Sequence, residues 1–193
     1  MDFRKTLEQD FEPKSEQTEW SHKETGARAG VYQLEVETAD DYWEVENLYD
    51  TCFAPGRELL SSYRLRDGVE KVADLCLVAR DPDGVLAAVI RFWPIRVGAG
   101  EDRALLLGPV AVHPTRQGEG LGGLLITEAM AEAVKLGWAR VLLVGDEPYY
   151  ARFGFEKLDH VEMPPPTNPD RVLGVALRPG AWDTVSGLVH KDD

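Results

Sequence analysis

The sequence predicts an α/β fold, in which helices flank a mixed, mostly antiparallel sheet. Alternating apolar stretches over residues 31–112 predict strands that pair as neighbours along the chain. A helical stretch, "LGGLLITEAMAEAVKL", then connects the strand "RALLLGPVAV" to the strand "RVLLVGD". Such a crossover gives a parallel pair within an otherwise antiparallel sheet. At 193 residues the chain is large enough for one domain with a substantial core.

The predicted elements follow in order along the chain. "VYQLEV" alternates like a strand, and Thr38 or Asp40 caps the helix "DDYWEVENLYDTCF". A second helical stretch, "GRELLSSYRLR", follows Pro55. "ADLCLVAR" and "VLAAVIRFWPIRV" flank the turn "DPDG" and predict a hairpin, and Gly137 ends the crossover helix. We expect the last strand in "RVLGVALRPGAW", followed by an acidic tail.

Two regions differ in composition. Residues 1–30 hold many charges and few apolar side chains, which predicts an N-terminal arm or extension. Residues 31–193 have the texture of one folded domain, and a homodimer is a possible assembly.

Bulk charge and composition exclude several classes of function. The net charge of -13, from 34 acidic and 21 basic residues, repels a phosphate backbone and argues against nucleic-acid binding. No apolar run approaches the ~18 residues that span a membrane. Cys52 and Cys76 have no close-spaced partner, which is typical of reduced cysteines in the cytoplasm. The four histidines lack metal-ligand spacing, so we expect no metal site.

A cluster of glycines precedes the crossover helix. Gly118, Gly120, Gly122 and Gly123 lie within "RQGEGLGG". Glycine lets backbone N–H groups approach a ligand closely, and a helix start directs free N–H groups and a positive dipole at it. The stretch therefore predicts a cradle for a phosphate, to which Arg116 would add a full charge.

Two familiar phosphate cradles do not fit this stretch. A P-loop requires a Gly-Lys pair, and the sequence contains none. A dinucleotide fingerprint is present literally in Gly118, Gly120 and Gly123, with Asp146 about where its ribose acid should lie. However, "HPTRQ" separates the strand from the first glycine, and the 47 residues after Asp146 lack the further β-α-β units.

A third cradle does fit. "QGEGLG" resembles the Q/R-x-x-G-x-G/A motif of the GNAT acyltransferase superfamily, and "VHP" before it resembles that family's strand end. "GDEPYYARFGF" is similar to a later segment of the family, in which a tyrosine precedes Gly-Phe. Together with "RFWP", these segments resemble the YhbS-like bacterial branch over roughly residues 31–178. The resemblance implies the GNAT sheet, with a splayed parallel strand pair that receives CoA.

The resemblance implies acyl-CoA as co-substrate and assigns residues to it. The pyrophosphate would rest on backbone N–H groups of the glycine loop, those of Gln117, Gly118, Gly120, Leu121 and Gly122. The pantetheine arm would run along the preceding strand. In that strand Pro109 cannot donate a ladder hydrogen bond and Gly108 permits a bulge, so pairing should break there. Backbone groups of Val110 and Val112 would then be free to bond the arm.

The resemblance also proposes groups that manage protons. Tyr150 matches the family's Tyr-x-x-x-Gly-Phe spacing and would be the general acid, with Tyr149 as the alternative. Asp146 is the candidate general base at the strand end, with Glu147 beside it.

The sequence as a whole therefore predicts a CoA-dependent N-acyltransferase. We expect acetyl-CoA as donor and a small-molecule or peptide amine as acceptor. Transfer of a longer acyl chain, transfer to oxygen and a non-catalytic acyl-CoA-binding domain remain alternatives. The acceptor site should include Arg57, Tyr63, Arg64 and the segment "MPPPTNPDR".

Overall fold

The computed structural model describes residues 32–99 and 102–193. The predicted arm, residues 1–30, lies outside this part of the chain. Within residues 32–99 and 102–193, nine strands form one connected arrangement in the order β1-β2-β3-β4-β5-β8-β6, while β9 pairs with β3 and β7. Their bounds are β1 Gln33–Val36, β2 Leu77–Arg80, β3 Leu86–Val97, β4 Asp102–Val112, β5 Arg140–Val144, β6 Glu156–Lys157, β7 Val161–Glu162, β8 Val172–Ala176 and β9 Gly187–Lys191.

The sheet is mixed and mostly antiparallel, as predicted. β1 to β4 pair antiparallel in chain order, and β5 pairs antiparallel with β8. β4 and β5 pair parallel across the crossover helix, and the short β7 and β9 form a second parallel contact. The local alternation of apolar residues therefore predicted the sheet type correctly.

In the described part of the chain, four α-helices flank the strands. They are α1 Tyr42–Cys52, α2 Ser61–Arg64, α3 Leu121–Lys135 and α4 Glu147–Tyr150. The first begins after a 3-10 turn, where the Asp41 carboxylate accepts hydrogen bonds from the N–H and hydroxyl of Thr38. Thr38, rather than Asp40, is therefore the N-cap residue. Gly137 follows α3 with φ +85°, a left-handed conformation that glycine adopts without a Cβ penalty, and it ends the helix as predicted.

The two long helices cover opposite faces of the sheet. α3 contributes Leu125, Ala129 and Ala133 to a core that includes β2, β3 and β4. α1 contributes Val45 and Leu48 to a smaller cluster on the other face. Burial of these side chains stabilises each layer by roughly 25 cal/mol per Å² of apolar area.

Two sequence predictions need correction. The stretch "GRELLSSYRLR" is not one helix: a 3-10 turn, Arg57–Leu59, is separated from α2 by an extended Leu60 with ψ 144°. The chain end is not only an acidic tail, because β9 pairs there with the far end of β3. β2 reaches only Leu86–Ile90 of β3, so β9 satisfies backbone groups at Ile95–Val97 that would otherwise form an open edge.

Candidate active site

The parallel strands β4 and β5 separate soon after they meet. Their pairing is limited to Leu105 with Val141 and Leu106 with Leu142. Beyond that point β4 continues along β3, whereas β5 continues along β8. A wedge therefore opens between the carboxyl-terminal halves of the two strands.

A bulge in β4 lies where the wedge begins. The β3–β4 register shifts by one residue between Ile90 and Phe92, opposite Gly108 and Pro109. Gly108 has φ +121°, which disfavours any residue with a Cβ. Proline lacks the N–H needed for a ladder bond. The predicted break in pairing is therefore found at these two residues.

The bulge leaves backbone groups of β4 directed into the wedge. The His113 N–H donates to the Ala87 carbonyl on β3 at 2.8 Å, and antiparallel ladders alternate with every residue. Val110 and Val112, three and one residues earlier, therefore turn their N–H and C=O groups away from β3. The Val112 carbonyl accepts a 3.3 Å bond from the Gln117 side chain, which links the strand end to the glycine loop.

The wedge is a cavity of about 410 Å³. Leu106 to Val110 form one wall, Leu143 and Val144 form the other, and Tyr150 stands at the side of β5. The segment from Phe53 to Arg57, after α1, closes it from outside. A largely apolar slot with backbone groups along one side suits an extended, amide-containing ligand.

The glycine loop stands at the start of α3, next to the end of β4. Gly118 and Gly120 both have φ +86°, and no described atom lies within 4 Å of a Cβ built on either. The first N–H groups of a helix have no intrahelical acceptor. Among the described residues, those of Gln117, Gly118, Gly120, Leu121 and Gly122 donate to no backbone carbonyl. The loop thus presents a concave set of free donors, as an anion cradle requires.

Arg116 is less free than the sequence suggested. Its Nη2 atom lies 2.9 Å from Oδ2 of Asp81, in the turn between β2 and β3. Because this carboxylate offsets the guanidinium charge, the cradle depends chiefly on backbone N–H groups and the helix dipole.

The two neighbouring tyrosines point to different places. Tyr150 lines the wedge and packs its ring edge-on against Phe155, with the ring centroids 5.9 Å apart. Burial, and then the nearby Tyr149 and Asp146, raise the pKa of Tyr150 to about 12. Tyr149 is 40% exposed, and its hydroxyl would lie 3.0 Å from a Cβ on Gly122. The structure thus brings Tyr150 to the wedge and Tyr149 to the helix start.

The predicted base lies at the surface. The Asp146 side chain is 77% exposed, and its Oδ1 lies 3.2 Å from Nη2 of Arg171. Asp146 precedes α4, and Glu147 is the first residue of that helix and also exposed. Neither carboxylate is among the described residues that line the wedge.

A second cavity adjoins the wedge and has a volume of about 450 Å³. We call it the acceptor cavity, after the sequence expectation that an acceptor binds in this region. Arg57, Tyr63 and Arg64 line it, whereas no residue of the segment "MPPPTNPDR" does. Sequence reasoning missed the other charged and aromatic residues of its wall, which are Glu46, Tyr49, Glu58, Arg66, Asp67, Arg91 and Trp93. The "RFWP" segment was singled out only as part of the resemblance, and it supplies Arg91 and Trp93.

Most charges of the acceptor cavity are balanced within the protein. Glu46 joins two arginines, since its Oε2 is 3.0 Å from Arg57 and its Oε1 is 2.8 Å from Arg91. Arg91 also forms two 2.8 Å bonds with Glu37, a buried carboxylate. Burial opposes ionisation of Glu37, but hydrogen bonds from Arg91 and Lys71 hold its pKa below the usual value.

The described residues offer neither a metal cluster nor a membrane-spanning helix. Among residues 32–99 and 102–193, no group of three or more potential ligands is placed to hold a metal ion. In the same residues, no helix is both long and apolar enough to cross a membrane.

A mixed sheet with a splayed parallel pair beside a glycine-rich helix start defines the class of acyl-CoA-dependent acyltransferases. Comparison with known proteins agrees, because the model of the Acetyltransferase (GNAT) family matches residues 42–155. The chain therefore belongs to the GNAT family.

Individual relatives support this assignment. The chain is 28% identical over 130 residues to the uncharacterized N-acetyltransferase YhbS of Escherichia coli (strain K12), covering 67% of this chain and 77% of the relative. A crystal structure of E. coli YhbS in complex with CoA matches with a TM-score of 0.73 at 26% identity, over 89% of this chain and 93% of that one. A Brucella melitensis GNAT acetyltransferase in complex with acetyl-CoA matches with a TM-score of 0.59 at 29% identity, over 77% and 89%.

Proposed function

We propose that this protein transfers the acetyl group of acetyl-CoA to the amine of a small molecule or peptide. One observation carries the proposal: Val110, which lines the wedge, lies beside the start of α3, where its side chain would be 3.9 Å from a Cβ on Gly122, and the wedge adjoins the acceptor cavity at the bulge. The two cavities share Arg57, Tyr63, Arg66 and Pro109 as walls. A donor in the wedge and an amine in the adjoining cavity would therefore meet beside β4.

The residues of the two regions fit an acyl-CoA. The free N–H groups of the glycine loop match a pyrophosphate, and its lack of Cβ atoms at Gly118 and Gly120 leaves room for close approach. The outward N–H and C=O groups of Val110 and the outward N–H of Val112 match the amides of a pantetheine arm, whereas the Val112 carbonyl already accepts from Gln117 and Cys52. Complexes of YhbS with CoA and of the Brucella protein with acetyl-CoA support this assignment.

Bound acetyl-CoA supplies an activated thioester. In the transfer an N–C bond forms, the C–S bond breaks, the amine loses a proton and the departing thiolate gains one. Tyr150 lines the wedge and would donate that proton from its phenol. Its raised pKa keeps the phenol protonated throughout the neutral range, as an acid requires.

The proton of the amine needs an acceptor. Asp146 remains our proposed base, and because its carboxylate lies outside the wedge it would act through water. Glu46 lies in the acceptor cavity itself, but both of its carboxylate oxygens are engaged by Arg57 and Arg91.

A domain that binds acyl-CoA without catalysis is the second candidate. It predicts CoA affinity but no release of thiol above the rate of spontaneous hydrolysis. The position of Tyr150 in the wedge favours an enzyme, because a binding domain gains nothing from a phenol at the thioester.

Two measurements on the full chain test the proposal. Calorimetry should detect binding of CoA and acetyl-CoA, and a thiol-release assay with an amine library should show turnover with acetyl-CoA. Acyl-CoAs of longer chain length, assayed in parallel, test whether the protein transfers an acetyl group or a longer acyl chain. Binding without turnover for any amine would favour the second candidate, and absence of CoA binding would contradict both.

A further inference from the structure

Arg66 is the one arginine of the acceptor cavity, among the described residues, that has neither a carboxylate nor a backbone carbonyl as partner. Arg57 and Arg91 are paired with acids, and Arg64 donates to the carbonyl of Pro165. The Nε and Nη1 atoms of Arg66 are buried and have no hydrogen-bond partner in residues 32–99 and 102–193. An unbalanced buried cation is costly, so such a group calls for an explanation.

Aromatic rings fix the position of this guanidinium. Its Cζ lies 4.5 Å from the ring centroid of Tyr63 and 4.7 Å from that of Trp93. These contacts and a hydrogen bond with Tyr63 stabilise the cation but leave its Nε and Nη1 donors unsatisfied, because ring faces do not replace hydrogen-bond acceptors in the guanidinium plane. Burial, opposed in part by Tyr63 and Tyr49, lowers the pKa of Arg66 to about 10, so the side chain stays charged at neutral pH although no carboxylate is paired with it.

Arg66 also stands beside the point where the chemistry would occur. It lines both the wedge and the acceptor cavity. Its Nη2 atom would lie 3.9 Å from a Cβ on Gly108, at the bulge where β4 leaves β5. A group bound by Arg66 would therefore lie close to the reacting amine, not at the far end of a long acceptor.

We propose that the acceptor is a free α-amino acid, whose carboxylate binds the Arg66 guanidinium while its α-amine faces the wedge. This inference rests on the proposed function and specifies its substrate class. A carboxylate is the planar acceptor that guanidinium N–H groups match best. In an α-amino acid it is one carbon away from the amine, whereas a lysine side chain or a peptide N-terminus offers no carboxylate at that distance. The carboxylate takes no part in the bond changes of the transfer.

The first test compares matched acceptors with the unaltered protein. The twenty L-amino acids and their carboxamides are assayed for thiol release from acetyl-CoA. We expect kcat/KM to be at least tenfold higher for an accepted acid than for its carboxamide. Reactivity alone predicts the opposite, because the amine of a carboxamide loses its proton more readily. Equal or better use of the carboxamides would overturn the inference while leaving the proposed function standing.

The second test removes the cation. We expect Arg66→Gln to raise KM for the acid and to bring acid and carboxamide within about threefold of each other, with affinity for acetyl-CoA retained. Arg103→Gln is the matched control, since Arg103 also lies over an indole ring, 5.1 Å from Trp138, and lines neither cavity. It should leave the acid preference unchanged.

The remaining outcomes are also decisive. Retention of the acid preference in a folded Arg66→Gln protein would overturn the inference. Arg66→Lys, which keeps the charge but loses the planar donor set, should restore part of the preference. If Arg66→Gln fails to fold, the inference is tested instead by the comparison of amino acids with their carboxamides and by the Arg66→Lys variant. If other amines are acetylated and no free amino acid is, the substrate class is wrong and the proposed function survives.

Discussion

Gly145 and Tyr150 are in direct contact at the end of β5, where a Cβ atom on the glycine would lie 2.8 Å from Cδ2 of the tyrosine ring. The ring reaches the wedge because the residue after β5 has no side chain. The position of the Tyr150 ring therefore requires a glycine at residue 145. Gly145 itself belongs to neither the glycine loop nor the cavity wall.

We expect Gly145→Ala to lower turnover at least tenfold by displacing the Tyr150 ring. Overpacking of this kind costs about 1–3 kcal/mol of stability, which thermal unfolding would measure. A double-mutant cycle provides the control: if the alanine acts through Tyr150, it should add little to the effect of Tyr150→Phe. Additive effects would show that Gly145 acts independently of that phenol.

Tyr150→Phe keeps the ring and removes only the hydroxyl. Loss of a general acid typically lowers the rate 10²–10⁴-fold, so kcat should fall by that order while calorimetry gives an unchanged affinity for acetyl-CoA. Tyr149→Phe is the matched control and should have a small effect. If Tyr149→Phe is the damaging change, the acid is the neighbouring residue. If neither slows a rate-limiting chemical step by more than a few-fold, Tyr150 is a packing residue.

The raised pKa of Tyr150 predicts how kcat depends on pH in the alkaline range. Because the phenol stays protonated until about pH 12, its ionisation should not reduce kcat between pH 8 and 10. A decline in that range that disappears in Tyr150→Phe would contradict the assignment. The profile should be measured at saturating acetyl-CoA, with protein stability checked at each pH.

Gly120→Asp should weaken acetyl-CoA binding at the glycine loop. The substitution puts a negative charge where a pyrophosphate would rest, and we expect at least a tenfold loss of affinity, about 1.4 kcal/mol. Gly120→Asn is the matched control, because it imposes the same left-handed backbone strain at φ +86° without the charge. Equal affinity of the two variants would exclude an electrostatic effect at this position.

Cys76 should make the fold sensitive to alkali. Burial raises the pKa of its thiol to about 11, from an ordinary value of 9.0. The preference of the folded state for the protonated thiol therefore contributes fully to the free energy of unfolding below pH 9, and this contribution is lost as the pH rises to about 11. Two pKa units correspond to about 2.7 kcal/mol. Urea unfolding under reducing conditions should show a smaller alkaline loss in Cys76→Ala than in Cys52→Ala, whose thiol is less buried. If the free energy of unfolding falls equally with rising pH in the two variants, the prediction is wrong.

The domain boundary remains a prediction that truncation tests. A chain starting at Val31 should fold and bind acetyl-CoA with the affinity of the full chain, measured by calorimetry. Insolubility or loss of binding would show that residues 1–30 complete the core or an interface between copies.

Much of the fold was predictable because its signals are local. The glycines before α3, the proline and glycine of the β4 bulge, and the alternation of β2 and β3 each act on their own segment. One prediction failed where a distant partner decides, since β9 forms because β3 extends beyond β2. A predicted helix is also interrupted at the extended Leu60.

The sequence by itself determined the sheet type, the crossover helix and the cradle, since backbone conformation at glycine and proline depends on residues a few positions apart. It could not decide which arginine of "YRLR" turns inward. Arg64 is exposed, while Arg66 lies between Tyr63 and Trp93, and Trp93 comes from β3. Only the tertiary structure brings that ring, the bulge and the cation together, because burial of a side chain depends on residues far apart in the chain.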